Sequence, residues 1–203
     1  MAADRIRVGI IGLGAISFSH EAAYGEMEGS CQVVAMSDVR EEEAASRSLL
    51  HGARTYTRYQ ELLDSSDVDM VDIIVPHHLH YEVALAAIQR GKHVLVEKPI
   101  AVNSWQGQQL IDAAQKAGVT LGVAENTRFV TAYQKAEEIV DAGWLGDILV
   151  VRTLIAGSEV HRIKDPGQWH GKLPYGGVIL DSSVHNFYSV SYTHLTLPTI
   201  LRV

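Results

Sequence analysis

Three groups of residues in this chain have the types and spacings that acid–base chemistry requires. The first is Glu97-Lys98-Pro99, which follows the apolar run Val94-Leu95-Val96. A lysine at the carboxyl end of a strand stands where open parallel sheets bind their ligands. Pro99 fixes the turn and biases Lys98 away from helical geometry. A surface lysine paired with Glu97 fits the same spacing. The second group is Asp181 with His185, four residues apart. On a helix the two side chains share a face, and a carboxylate there can orient an imidazole and stabilise its charged form. An ordinary ion pair on a solvated face is the plainer reading of that spacing. The third is Pro76-His77-His78-Leu79-His80, at the end of another apolar run. His80 can contact a cofactor, cap the following helix or pack. No further ligand joins these histidines, Cys31 is the single cysteine, and no CxxC spacing occurs, so no metal site is expected.

Such groups need a scaffold that presents strand ends to a ligand, and the chain supplies one near its start. Ile6 to Ile11 is apolar and runs into Gly12-Leu13-Gly14-Ala15-Ile16-Ser17. A strand that turns sharply into a helix leaves backbone N–H groups pointing past the helix N-terminus, where the helix dipole also favours an anion. Gly12 allows the tight turn, and Gly14 lets the backbone approach a pyrophosphate. Ala15 and Ile16 open the helix and complete the cradle. Ser17 stands where glycine or alanine is usual in this fingerprint. A second apolar run, Gln32 to Met36, ends at Ser37-Asp38. Asp38 falls about 20 residues beyond the turn, the distance expected of the acid that binds ribose hydroxyls. A glycine turn that serves only packing, with a solvated aspartate, fits the parts singly. Strand, turn, helix, strand and acid in sequence favour a dinucleotide site, and Asp38 favours NAD over NADP. Arg40 qualifies that choice, since an arginine nearby can hold a 2′-phosphate.

The rest of the first half alternates strand-like and helix-like segments, which predicts a parallel sheet with helices on both faces. Helices are expected near 15–27, 41–51, 59–63, 80–90 and 103–117, and strands at 54–56, 70–75, 92–96 and 119–123. Beyond residue 124 the pattern changes. A helix is expected at 130–142, a strand from Asp147 to Ala156, a Gly-, Pro- and Trp-rich loop at 157–177 and a helix at 178–188. With 203 residues, 47% hydrophobic and 20% charged, the chain is globular, with room for one large domain or one and a half. A net charge of −7 without any basic run sets nucleic acid aside as a partner. No apolar stretch reaches the roughly 18 residues of a membrane span. No signal-peptide core precedes the glycine turn, so a cytoplasmic location and no membrane partner are expected.

Together these elements resemble the Gfo/Idh/MocA oxidoreductases. The resemblance rests on the Gly12-Leu13-Gly14 turn, Asp38, Pro76 with His80, Glu97-Lys98-Pro99, Arg128-Phe129, and Gly176-Gly177 followed by Asp181 and His185. It covers about residues 5–188. It implies a Rossmann domain (1–125) and the start of a second α/β domain with an open, mostly antiparallel sheet (126–189). It also implies hydride transfer between NAD(P) and a hydroxyl of a sugar, cyclitol or related polyol, in an enzyme that forms a homo-oligomer at full length. Carried over by motif, Lys98 would polarise the reacting hydroxyl, His185 would take its proton, and Asp181 would orient His185 or bind a neighbouring hydroxyl. Gly12, Gly14, Ala15, Ile16, Asp38, Arg40, Pro76, His80, Glu97 and Lys98 would form the cofactor site. The family also contains redox-neutral NAD-dependent glycosidases and non-catalytic cofactor-sensing regulators, which stand as alternatives. The stretch Ser191 to Ile200 departs from the family pattern and resembles translated sequencing adapter. Residues 190–203 are therefore read as a non-native tail on a truncated second domain, and the chain as written is expected to be inactive.

Overall fold

The computed structural model describes residues 5–152, 164, 172 and 177–193. The chain divides into two compact units, Met1–Ala124 and Glu125–Val203. The first is a parallel sheet of six strands: β1 (Ile6–Ile11), β2 (Cys31–Ser37), β3 (Arg54–Tyr56), β4 (Met70–Ile73), β5 (His93–Glu97) and β6 (Leu121–Ala124). Their spatial order is β3-β2-β1-β4-β5-β6. The direction of winding reverses between β1 and β4, and that switch point is where doubly wound sheets hold their ligands.

Alternation along β1 sends side chains to both faces of the sheet. Val8 and Ile10 join a core with Val33, Met36, Tyr24 and Ala44, where α1 (Ser17–Glu26) and α2 (Glu41–His51) pack. Ile11 joins the opposite core with Leu62, Leu63, Val83, Ala87, Ile88 and Leu110. That face carries α3 (Tyr59–Leu63), α4 (His77–Gln89) and α5 (Ser104–Ala117). Local chemistry sets the helix ends. Glu41, Glu42 and Glu43 stand in the first turn of α2, where the dipole favours negative charge. The Asn103 side chain accepts the Gln106 N–H at 2.9 Å to start α5, and left-handed Gly118 closes it.

Two boundaries differ from the sequence expectation. β4 ends at Ile73 rather than Val75: the Ile74 N–H still bonds to the Ile11 carbonyl at 2.8 Å, but the chain then turns its own carbonyl toward Gly12. The next helix, α4, begins at His77 rather than His80, because Pro76 serves as its N-cap residue and its carbonyl accepts the Leu79 N–H at 2.8 Å.

The second unit contains a 3-10 turn (Thr127–Phe129), α6 (Thr131–Asp141) and the helix Gly177–Thr193, labelled α7. α6 and α7 pack together, and both touch the turn. The strand expected from Asp147 to Ala156 does not form over residues 147–152. Leu149 and Val150 are 90% and 84% exposed, and no described strand lies beside them to pair their backbone groups. Residues 153–156, most of the expected loop 157–177 and residues 194–203 of the expected tail lie outside the described residues. Residues 190–193 continue α7. Among the described residues, no helix is long and apolar enough to cross a membrane.

Gly12 has φ +95°, and a Cβ built there would lie 2.3 Å from the Ile74 carbonyl oxygen. Gly12→Ala is therefore expected to cost about 1–3 kcal/mol from backbone strain, with the steric clash added. Urea denaturation measures this; an unchanged midpoint would show that the turn does not pass so close.

Candidate functional site

The glycine turn joins β1 to α1 at the switch point. The Gly12 N–H bonds to the Ser37 carbonyl at 2.8 Å, tying the turn to the end of β2. A Cβ at Gly14 would meet nothing within 4 Å, so this face of the turn is open. Ala15 and Ile16 are exposed, and Ile16, the N-cap residue of α1, offers no side-chain cap to the first turn. These features fit a bound pyrophosphate: open backbone donors at a helix N-terminus, with no side chain in the way.

Ser17, the departure from the usual fingerprint, is fully buried and has a role of its own. Its hydroxyl donates to the Gly14 carbonyl at 2.7 Å and accepts from the Arg47 guanidinium at 2.8 Å. Arg47 lies in α2, pairs with buried Glu21 of α1 (Nε to Oε2, 3.1 Å) and also bonds to Glu43. Burial works against the charge on Arg47. The bonds to Glu21 and Glu43 more than offset it, and its pKa is raised. The serine thus anchors the turn to an ion cluster linking α1 and α2.

Asp38 follows β2 and reaches back to the same turn. Its Oδ2 accepts the Leu13 N–H at 2.8 Å. Arg40 covers the remaining positions, with its backbone N–H and Nε each 2.9 Å from Oδ1. Burial raises the Asp38 pKa, but the hydrogen bonds from Arg40 and Leu13 outweigh it and hold the carboxyl below its ordinary value. The Asp38 side chain is 8% exposed, whereas that of Arg40 is 58% exposed. Arg40 is the exposed partner of this pair.

At the end of β5, the Lys98–Pro99 peptide is cis, and the Lys98 N–H donates to Glu97 Oε2 at 3.0 Å. His80 ties this turn to the one after β4. Its Nδ1 is 2.6 Å from the Pro99 carbonyl and its Nε2 is 2.8 Å from the Val75 carbonyl. Burial lowers the His80 pKa, with the two carbonyls acting the other way. His80 is fully buried, and through these two bonds it supports both turns. Pro76, the N-cap residue of α4, lies at the turn that His80 holds.

In the second unit, Glu125, which no spacing motif marks, is a carboxylate that meets His185. His185 Nδ1 lies 3.0 Å from each Glu125 oxygen and 3.2 Å from Thr127 Oγ1. The Thr127 N–H donates to Glu125 at 2.9 Å, and its hydroxyl bonds to the same oxygen. Burial raises the Glu125 pKa, but the bonds from Thr127 and His185 outweigh it and leave it below its ordinary value. Asp181, expected to orient His185 from one turn away, is half-buried on α7. The signal for Glu125 was its place directly after the last strand of the sheet. Lys98 belongs to the first unit and His185 to the second. Among the described residues, no group of three or more His, Cys, Asp and Glu is placed to hold a metal ion.

Comparison with known proteins agrees with this reading of the fold. The model of an oxidoreductase family with an NAD-binding Rossmann fold matches residues 6–125. The chain is 30% identical to the D-glucoside 3-dehydrogenase of Escherichia coli, over all of this chain and 58% of the relative. It is 31% identical to the myo-inositol 2-dehydrogenase of Thermotoga maritima, over 92% of this chain and 54% of the relative. A levoglucosan dehydrogenase solved with NADH and levoglucosan superposes with a TM-score of 0.84 at 26% identity, over 94% of this chain and 54% of that one. The chain thus spans little more than half the length of these relatives.

The Glu125 contact has a consequence for acid stability. A depressed carboxylate pKa stabilises the fold above the unfolded value, about 4.3, and that contribution is lost as pH falls through the folded value. Glu125→Gln should therefore be less stable than wild type at about pH 6, with the gap narrowing below about pH 4. Urea titrations at the two pH values measure it; a gap that stays constant would show that the carboxylate is not engaged.

Proposed function

The chain belongs to the Gfo/Idh/MocA oxidoreductases, and from that premise we propose that it transfers hydride between NAD and a hydroxyl-bearing carbon of a sugar, cyclitol or related polyol. The observation that carries this is the Glu97-Lys98-Pro99 turn, fixed at the carboxyl end of β5 in the sheet that also bears the open glycine turn. NAD, when bound, supplies the two-electron acceptor. Gly12, Gly14, Ala15 and Ile16 would hold its pyrophosphate, and Asp38 its adenosine ribose. Pro76 and Glu97 would border the nicotinamide end.

In this reading the Lys98 ammonium donates a hydrogen bond to the reacting hydroxyl oxygen and stabilises the negative charge that develops there. His185 accepts the hydroxyl proton as the carbon–hydrogen bond breaks and its electron pair leaves with the hydride. Thr127 and Glu125 hold Nδ1, and Nε2 is the nitrogen proposed to take the proton. Asp181 orients His185 or binds a neighbouring hydroxyl. Residues 126–189 would begin the substrate domain. The relatives act on a glucoside and on inositol, and the same class is proposed for this chain. A self-associating cytoplasmic enzyme completes the proposal.

Two measurements test it, in protein extended to its relatives' length. Lys98→Ala and His185→Ala should each lower kcat on a responsive polyol by about 10²–10⁴-fold, with NAD affinity nearly unchanged. Near-normal turnover in either variant removes that residue from the mechanism. Titration with both cofactors should show NAD bound more tightly than NADP. Arg40→Ala should leave NAD binding intact or tighter, since the ribose hydroxyls then meet Asp38 without competition, and should weaken NADP. NADP binding equal to NAD would overturn the assignment.

A further inference from the structure

The catalytic reading of Lys98 leaves a buried cluster beneath it without a role. His20 lies in the first turns of α1 with its side chain 12% exposed. Its Nδ1 is 2.8 Å from Asp72 Oδ2, and its Nε2 is 3.0 Å from Glu97 Oε1. Asp72 is wholly buried in β4. The Tyr24 hydroxyl donates to Asp72 Oδ2 at 2.9 Å, while Asp72 Oδ1 has no hydrogen-bond partner among the described residues. Carboxylates only accept, so a ring that meets one at each nitrogen needs a proton on both. Burial disfavours the charge on His20, but the bonds to Asp72 and Glu97 outweigh it and its pKa is pushed up to about 10.

The two oxygens of Glu97 are used differently. Oε1 faces His20, and Oε2 accepts the backbone N–H of Lys98. A contact chain therefore runs from α1 through His20 and Glu97 to the backbone of Lys98. We propose that His20, clamped between Asp72 and Glu97, is a positioning residue that orients the Glu97 carboxylate and through it fixes the Lys98 turn. This rests on the reading of Lys98 given above.

Without the imidazolium, Asp72 and Glu97 face each other as like charges with little water between them, and that arrangement is unfavourable in a buried setting. Glu97 then rotates away and releases the Lys98 N–H. A cluster that merely bound α1 to the sheet would loosen α1 and leave the Lys98 N–H in place.

Backbone amide exchange at Lys98 tells these apart and can be followed by NMR in the 203-residue chain itself. The amides of Val94 and Val96, inside β5, serve as references. In His20→Ala, Lys98 exchange should speed up by about tenfold or more while Val94 and Val96 stay within about twofold. Glu97→Ala should produce the same change, and the double variant no more than either, because both act on one path. Lys98 exchange within about twofold of wild type in His20→Ala overturns the proposal. Should that variant unfold, with every amide exchanging, Glu97→Ala decides. Faster exchange at both the Lys98 amide and the His20 Nε2–H supports the proposal, and protection unchanged at either site overturns it. Turnover of Lys98→Ala is a separate matter: if it stays high, the catalytic role of Lys98 fails while the exchange result stands.

Discussion

The close approach of the turn after β1 to the end of β4 governs the first unit. A Cβ at Gly12 would lie 2.3 Å from the Ile74 carbonyl oxygen, a distance that no ordinary side chain tolerates. The two strands are neighbours at the place where the sheet reverses its winding. Their ends must converge there for α1 to start beside the crevice and not above it. With that approach in place, Gly14 opens onto unfilled space, and Ser17 sits close enough beneath it to bond its carbonyl. The Asp38 carboxylate then reaches the Leu13 N–H from the next strand.

Around this turn the structure spends buried polar groups where an apolar core would pack as well. Arg47 with Glu21 joins α2 to α1, and His20 with Asp72 joins α1 to β4. His80 joins the turns after β4 and β5. Buried charge pairs often add little net stability compared with apolar replacements, because desolvation costs about as much as the attraction returns. What they supply is geometry. Hydrogen bonds are directional in a way that apolar contacts are not, so each pair fixes one helix against one strand end. All three lie under the strand ends that carry the glycine turn and Lys98.

Much of the first unit was legible because its signals are local. Continuous apolar runs, glycine at helix ends and the Asn103 cap give strands and helices whose bounds match within a few residues. Two differences have identifiable causes. Ile74 and Val75 continue the apolar run of β4, yet the backbone has already turned. Leu149 and Val150 have strand-like composition, yet no described strand lies beside them, and propensity alone does not encode a partner. The polar clusters were illegible for a different reason. His20 meets Asp72 and Glu97 across 52 and 77 residues of chain, and Glu125 meets His185 across 60. Spacing arguments see partners one helical turn apart, such as Asp181 for His185, and cannot see a contact made across 60 residues.

Three acidic residues at strand ends share one arrangement. Asp38 follows β2, Glu97 ends β5 and Glu125 follows β6. Each accepts a backbone N–H from an adjoining turn: Leu13 for Asp38, Lys98 for Glu97 and Thr127 for Glu125. Each also meets a cationic or titratable side chain: Arg40, His20 and His185 respectively. A carboxylate has two oxygens and about four acceptor positions, so it can pin a turn and hold a functional side chain at once. The carboxyl end of a parallel strand suits this use, because the chain leaves the ladder there with donors that no neighbouring strand satisfies. The acids therefore complete the hydrogen bonding of turns that the fold leaves open. Each of the three thereby fixes both the turn beside it and the side chain it meets.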